Sequence, residues 1–244
     1  MKTRTIIQIL AFLVLFQSFV SSQHKWEYPV KPGTENWKSL SLEERRNVQQ
    51  IPEEILKSMS TKEVFQAWLD LPGRFEILAF SNLQQGFDFT VEHFNVLQEL
   101  LDREDVGPVV QKCYVDMEVN NLHQKNSDRE KGKFITDFGS IELLLSQPKV
   151  LNSLSVNDKI KLLKQTFEYL NIKQNLENKN KDSFWEGTSL VLAGRILRNL
   201  GDRKLLETEK RNENIKTALD CGEINLKNEY DEIYKCIMNF VEKN

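Results

Sequence analysis

The sequence predicts an all-α fold, an irregular array of short antiparallel helices behind an N-terminal signal peptide. Three observations predict it. Apolar residues recur at steps of three or four in three separate series, the spacing of helices that bury one stripe. Ser-x-x-Glu boxes stand ahead of such runs, where the Ser oxygen can take an orphan helix N–H and the Glu can reach back. No stretch alternates polar and apolar residues over six positions with β-branched enrichment, so a sheet has no support.

The elements follow in chain order. Met1–Arg4 is a short basic start, and Thr5–Val20 is almost wholly apolar. Val20-Ser21-Ser22 then offers small residues for a cut between Ser22 and Gln23, the layout of a secretory signal peptide. A spanning helix needs about 20 apolar residues; this run is shorter, and Gln8 and Gln17 interrupt it. The expectation is cleavage, export to a secreted or periplasmic location, and no stable membrane span afterwards. Residues 23–40 hold two prolines, a glycine and two tryptophans. They read as an extended arm, with Trp26, Tyr28 and Trp37 able to dock on the helical domain of residues 41–244.

Ser41 to Glu44 is the first capping box and Ser60 to Glu63 the second. Between them Pro52 stands just inside a helix start, where its missing N–H costs nothing. The helix after Ser60 runs through Val64, Trp68 and Leu71 until Pro72-Gly73 breaks it. Phe87, Val91, Phe94, Leu97 and Leu101 form the first apolar series. Val156, Ile160, Leu163, Phe167 and Leu170 form the second, and Leu226, Tyr230, Ile233, Ile237 and Phe240 the third. Phe184–Leu200 is helical too, with Gly187, Ala193 and Gly194 placed to let a neighbour approach closely. Asn120–Lys133 and Asn175–Asp182 read as surface loops or frayed helix ends. Asp202–Asn214, highly charged with mixed signs, reads as a solvated helix face.

An internal echo links Ile55–Glu63 with Val150–Asp158. Each is a short helix after a proline, a Ser cap and a longer helix with an acid at its third position. One reading is a duplicated unit with halves 41–125 and 134–244. The other, which we prefer, is that helix-cap grammar recurs in any all-helical chain.

Composition narrows the function. The chain of 244 residues is 40% hydrophobic with only 10 Gly and 6 Pro, enough apolar content for a core and too little Gly and Pro for a disordered chain. Its net charge of −3 becomes −5 once Lys2 and Arg4 leave with the signal peptide. That balance speaks against nucleic acid held by phosphate contacts and against adsorption on anionic lipid.

Export permits disulfides, and the cysteines are Cys113, Cys221 and Cys236, an odd number. Cys113, in an apolar helical context, reads as a buried thiol. Cys221 and Cys236 are either two unrelated core residues or a bridge, which would contribute about 3 kcal/mol by closing a short loop.

Chemistry-bearing motifs are sparse. His24, His93 and His123 show no i, i+4 pair for zinc, and no C-x-x-C occurs. Nothing around Cys113 supports a Cys–His nucleophile. The G-x-S-x-G elbow is missing, as are the glycine loops that cradle nucleotides. No catalytic residue, cofactor or metal is therefore expected. Glu142, Glu168 and Glu186 fall near apolar helical faces and read as helix-surface acids. Asp88, Glu92, Asn95, Glu99 and Arg103 gather around the first series and read as a polar network locking two helices together.

The segments 51–61 (IPEEILKSMST), 72–87 (PGRFEILAFSNLQQGF) and 93–114 (HFNVLQELLDREDVGPVVQKCY) resemble a family of secreted all-helical bacterial proteins with no known activity. The resemblance covers roughly residues 37–115. It implies bacterial export and an all-helical fold, and it carries over no functional residue. Its shared positions, Pro52, Ser60, Thr61, Gly86, Phe94, Asn95 and Arg103, are mostly cap, turn and packing types. The lack of any N-x-[ST] sequon agrees with a bacterial source.

The expected function is non-enzymatic binding of another macromolecule, a protein or peptide, in grooves between helices. The alternative is a secreted carboxylate-based hydrolase of an envelope polymer. Two acids about 5–9.5 Å apart in a deep cleft would mark the hydrolase. A shallow apolar groove without paired acids would mark the binder.

Overall fold

Serine caps start helices where the sequence places them. In the computed structural model, which describes residues 25–117, 119, 125, 127–177, 183–224 and 226–244, Ser41 opens α2 (Leu42–Asn47) and Ser60 opens α4 (Thr61–Leu69), each with a reciprocal capping box. Ser127 does the same for α8 (Asp128–Leu145), so of the stretch 120–133, read as a surface loop or frayed helix end, residues 128–133 begin a long helix. The predicted signal peptide, the Ser22/Gln23 cut, His24 and His123 lie outside the described residues.

The arm is extended at first and then turns. Thr34 caps α1 (Glu35–Ser39), a short helix within the segment read as extended. Tyr28 is buried and its hydroxyl donates to the Ala67 carbonyl at 3.1 Å; Trp26 packs edge-on against it. Trp37 lies under the Arg45 guanidinium. The arm therefore docks through the three aromatics that the sequence singled out.

Pro52 is the cap of α3 (Glu53–Ser58) rather than a residue inside it. Pro72 does not merely break α4; it begins a 3₁₀ helix, Pro72–Ala79. The first apolar series is not one helix. It divides into α5 (Leu83–His93) and α6 (Asn95–Asp102), with Phe94 extended between them at φ −130° and ψ 113°. Phe87, Phe94 and Leu97 are buried as the series predicts, but Leu100 replaces Leu101 on the inside. The break shifts the helical phase by which α6 meets its neighbours.

The C-terminal part continues through α7 (Val106–Val115), α9 (Pro148–Asn152), α10 (Val156–Glu177), α11 (Ser183–Asn199), α12 (Arg203–Arg211), α13 (Glu213–Cys221) and α14 (Lys227–Lys243). No strand occurs among the described residues. Helix α11 is the centre of this half: it packs along α10 and α8 and also meets α12, α13 and α14. Residues Leu190–Leu197 are accordingly buried on every side.

Small residues act here as expected at one position and not at another. A Cβ on Gly194 would stand 2.7 Å from Leu219, so α13 comes close there, whereas Gly187 has open space. Val156 and Leu226, the first members of their series, are exposed at helix starts, while Leu163, Leu170, Ile233 and Ile237 carry the buried stripes. In the Asp202–Asn214 stretch, α12 turns Leu205 and Thr208 inward and its charges to solvent.

The echo is visible as local geometry. Ser58 and Ser153 each donate to a carbonyl three residues back, Ile55 and Val150, and Leu56 and Leu151 are both buried.

Candidate functional site

Four groups of residues could carry function: two polar networks, a set of surface clefts and an apolar ledge. The first network surrounds α6. Asn95 clasps Ile51, accepting from its N–H at 3.1 Å and donating to its carbonyl at 2.7 Å. Gln50 accepts from the Asn95 N–H, a group the extended Phe94 leaves without a helical partner. Glu99 joins Lys57 at 2.6 Å to Arg103 at 2.7 Å, and Arg103 also donates to the Leu56 carbonyl. These bonds lock α3 and the segment before it onto α6, as expected of Asn95, Glu99 and Arg103, whereas Asp88 bonds Gln84 and Glu92 is exposed outside the network. Thr61 and Gly86 are likewise structural: Thr61 donates to Asp105, and Gly86 lets α5 lie on the backbone of the 3₁₀ helix.

The second network corrects the reading of Glu142. It is not a surface acid but a fully buried one, and so is its partner Lys173. Lys173 Nζ lies 2.9 and 3.0 Å from the two carboxylate oxygens. Tyr114, Thr188 and Ser189 donate hydroxyls to the same carboxylate at 2.8, 2.5 and 2.5 Å. Lys173 also donates to Ser189 at 2.7 Å and stands over the Phe138 ring. Burial, and then the Glu142 charge, push the Tyr114 phenol well above its ordinary pKa, so it stays a donor. The Ser–Lys contact has the components of a nucleophile and its base. With Glu142, Lys173 and Ser189 all inaccessible to solvent, it reads as an internal tie between α8, α10 and α11.

The remaining predicted residues disperse. Glu168 is exposed, and Glu186 is half-buried; burial and then the Glu186 charge push the Tyr230 phenol up. His93 ends α5, its ring stacked on Phe89 at 3.9 Å and its Nδ1 at 2.9 Å from the Phe89 carbonyl. Cys113, Cys221 and Cys236 are free thiols. Burial pushes the Cys113 and Cys236 thiols up, the opposite of what a nucleophile needs. Cys113 is half-buried, not fully enclosed, and Cys236 lies 3.8 Å from the Thr208 hydroxyl. Among the described residues no group of three His, Cys, Asp or Glu is placed to hold a metal ion, and no helix is long and apolar enough to cross a membrane.

Among the described residues clefts open on the surface, three of them as follows. One of about 570 Å³ lies between α12 and α14, with Lys204, Arg211 and Lys235 beside Glu232. A second, of about 410 Å³, has Arg195, Arg198 and Asp220 on its wall. The third lies beside Trp26 and Met59, with Glu63. Each brings one carboxylate to its wall.

The apolar ledge is the 3₁₀ helix and the residue after it. Side chains three apart eclipse on a 3₁₀ helix. Phe75 and Leu78 therefore share the outer face, 46% and 50% exposed, while Arg74 and Ile77 turn inward. Phe80, 37% exposed, extends the surface and packs on Phe89 at 4.7 Å.

The charges around this ledge are paired. Arg46 meets Glu76 at 3.0 Å while lying over the Phe89 ring, and Arg74 and Lys133 both bond Asp137. The Arg74 guanidinium also lies over the Phe75 ring at 5.0 Å. Sequence reading missed the ledge because PGRFEILAF has neither a clean helical nor a clean strand period. The eclipsed Phe75/Leu78 spacing after Pro-Gly was the available signal.

No family model, curated protein or solved structure matches this chain.

Proposed function

We propose that this is an exported, non-enzymatic helical protein that binds a protein partner, and that Phe75, Leu78 and Phe80 form the contact. The observation that carries the reading is three large apolar side chains exposed within six residues on a segment whose inner face is anchored in the core. Large apolar side chains clustered and exposed in this way mark interaction sites. The surrounding charges neutralise one another, so the surface favours an apolar, uncharged stripe over a charged peptide. An amphipathic helix of the partner supplies such a stripe with anchors three and four residues apart. The hydrolase reading requires two carboxylates across one cleft, and each of the three clefts described above brings one.

The test uses a photo-crosslinking residue in the exported chain, at Leu78 or at the control position Leu42, which is 65% exposed on α2. The Leu78 probe should give a discrete adduct with a protein that the Leu42 probe does not give. Phe75→Ser should remove it while leaving the melting temperature nearly unchanged, since Phe75 is half exposed. Identical adduct patterns from Leu78 and Leu42 would refute the reading. An adduct with a second copy of the chain would replace the partner by self-association.

A further inference from the structure

Among the described residues three basic side chains are buried: Arg74, Lys173 and Arg195. Arg74 contacts Asp137 and Lys173 contacts Glu142. Arg195, 8% exposed, contacts only neutral oxygens. Its Nε–H donates to the Leu219 carbonyl at 2.7 Å and its Nη2 to the Asp220 carbonyl at 3.0 Å. Its Nη1 donates to Gln84 at 2.8 Å and to the Ser146 hydroxyl at 3.1 Å. The two carbonyls belong to the C-terminal end of α13, which supplies about half an elementary negative charge. The guanidinium is therefore under-compensated, and buried charges are normally paired.

Its electrostatic surroundings sharpen the point. Asp88 and Asp220 act on Arg195 through space, while the carboxylates themselves bond elsewhere, Asp88 to Gln84 and Asp220 to Arg198. Arg198, one turn further along α11, adds a like charge. Burial first, and Arg198 second, push the Arg195 guanidinium down to about 10. Arg195 lines the cleft of about 410 Å³, a volume suited to a small metabolite. A guanidinium has five N–H donors. The four bonds of Arg195 leave one on Nη2, and the bonds of Arg198 to Glu209, Asp220 and the Lys216 carbonyl leave one on Nη1. Pro148 and Leu151 form an apolar wall in the same cleft.

We propose that this cleft binds a small organic monocarboxylate, its two oxygens on the Arg195 and Arg198 edge and its apolar stem against Pro148 and Leu151. Two available donors match two acceptor oxygens. Glu209 and Asp220 already offset Arg198, which leaves Arg195 alone to favour a single negative charge and selects against a phosphate dianion.

Hexanoate is the probe, titrated into the full exported chain at constant ionic strength, with acetate, n-hexylamine and inorganic phosphate as comparisons. The readouts are the ¹⁵N-labelled Arg195 Nε–H resonance and the melting temperature. Hexanoate should shift the resonance saturably and raise the melting temperature by mass action. Acetate should need at least about tenfold more for the same shift, because it lacks the buried methylenes. Hexylamine should do nothing. Asn199→Asp places a further carboxylate on the exposed rim of the cleft, away from the bonds that hold Arg195. It should weaken hexanoate severalfold through like-charge repulsion. No saturable shift with hexanoate, an equal response to hexylamine, or saturation by phosphate at lower concentration than hexanoate would each overturn the proposal. The wild-type series decides this without any variant.

Discussion

Replacing Lys173 with Met tests whether the buried Glu142–Lys173 pair is a structural keystone. The substitution keeps the length of the side chain and its contact with the Phe138 ring, and it removes the ammonium that lies 2.9 and 3.0 Å from the Glu142 oxygens and 2.7 Å from Ser189. Glu142 then keeps the hydroxyls of Tyr114, Thr188 and Ser189, but its charge is uncompensated in a site with no solvent access. Breaking a buried pair by removing one partner costs about 3–5 kcal/mol. A domain of this size shifts its melting temperature by about 2–4 °C per kcal/mol, so the variant should melt about 6–20 °C lower.

The pair and the single residues are separated by a cycle. Glu142→Gln alone leaves an unpaired buried ammonium and should be equally damaging. Lys173→Met with Glu142→Gln removes both charges while the Gln carbonyl still accepts from the hydroxyls, and should recover more than half of either loss. Thermal and denaturant unfolding of the four proteins measures this. Strictly additive losses in the double variant, or a Lys173→Met shift of only a degree or two, would refute the argument that the two charges are held as a desolvated pair.

Other expectations follow from the same packing. Phe94→Ala should cost about 3–5 kcal/mol, because Phe94 is fully buried and its ring fills the space beside Gly73. Glu92→Ala, exposed on α5, should change the melting temperature far less. Gly86→Ala should cost at least about 1–3 kcal/mol, since the new Cβ would stand 2.1 Å from the Ile77 carbonyl oxygen and backbone must move; unchanged denaturation would show that the two helices separate freely. The Glu44 carboxyl is held below its ordinary pKa by the Ser41 backbone N–H and then by the Ser41 hydroxyl. A lowered folded pKa means that this cap stabilises α2 above the ordinary carboxylate range and is lost as pH falls through the lowered value. Glu44→Gln should therefore narrow the stability difference from wild type as the solution is acidified. Mass spectrometry of exported material should find Gln23 as the first residue; an intact Met1 on membrane-bound protein would refute cleavage.

Much of the fold was legible because its causes are local. Ser41 and Ser60 reach donors three residues away, and the Val156–Leu170 stripe repeats at the period of the helix that carries it. The same reasoning could have found Ser127, whose Glu130 lies in a stretch polar enough to read as a loop.

The break at Phe94 was not legible. The apolar spacing runs through it undisturbed, and the groups that stabilise the extended residue come from elsewhere: Gln50 takes the Asn95 N–H from 45 positions away. The ledge escaped for a related reason. Phe75 and Leu78 are outward because Arg74 and Ile77 are claimed by Asp137, Ser140 and the core, and only the packed chain makes that choice.

By itself the sequence determined the helical class, the Ser41 and Ser60 caps, the docking aromatics of the arm and the expectation of export, since each depends on neighbours within a turn or on composition. Tertiary structure alone decided which charges are buried. Glu142 reads as a surface acid from its sequence, yet it is buried and its cation lies 31 positions later on another helix. Arg195 reads as one base among many until α13 places two carbonyls, and no carboxylate, against it. The physical reason is that desolvation depends on everything packed around a group, whereas capping and periodicity depend on the chain within a few residues of it.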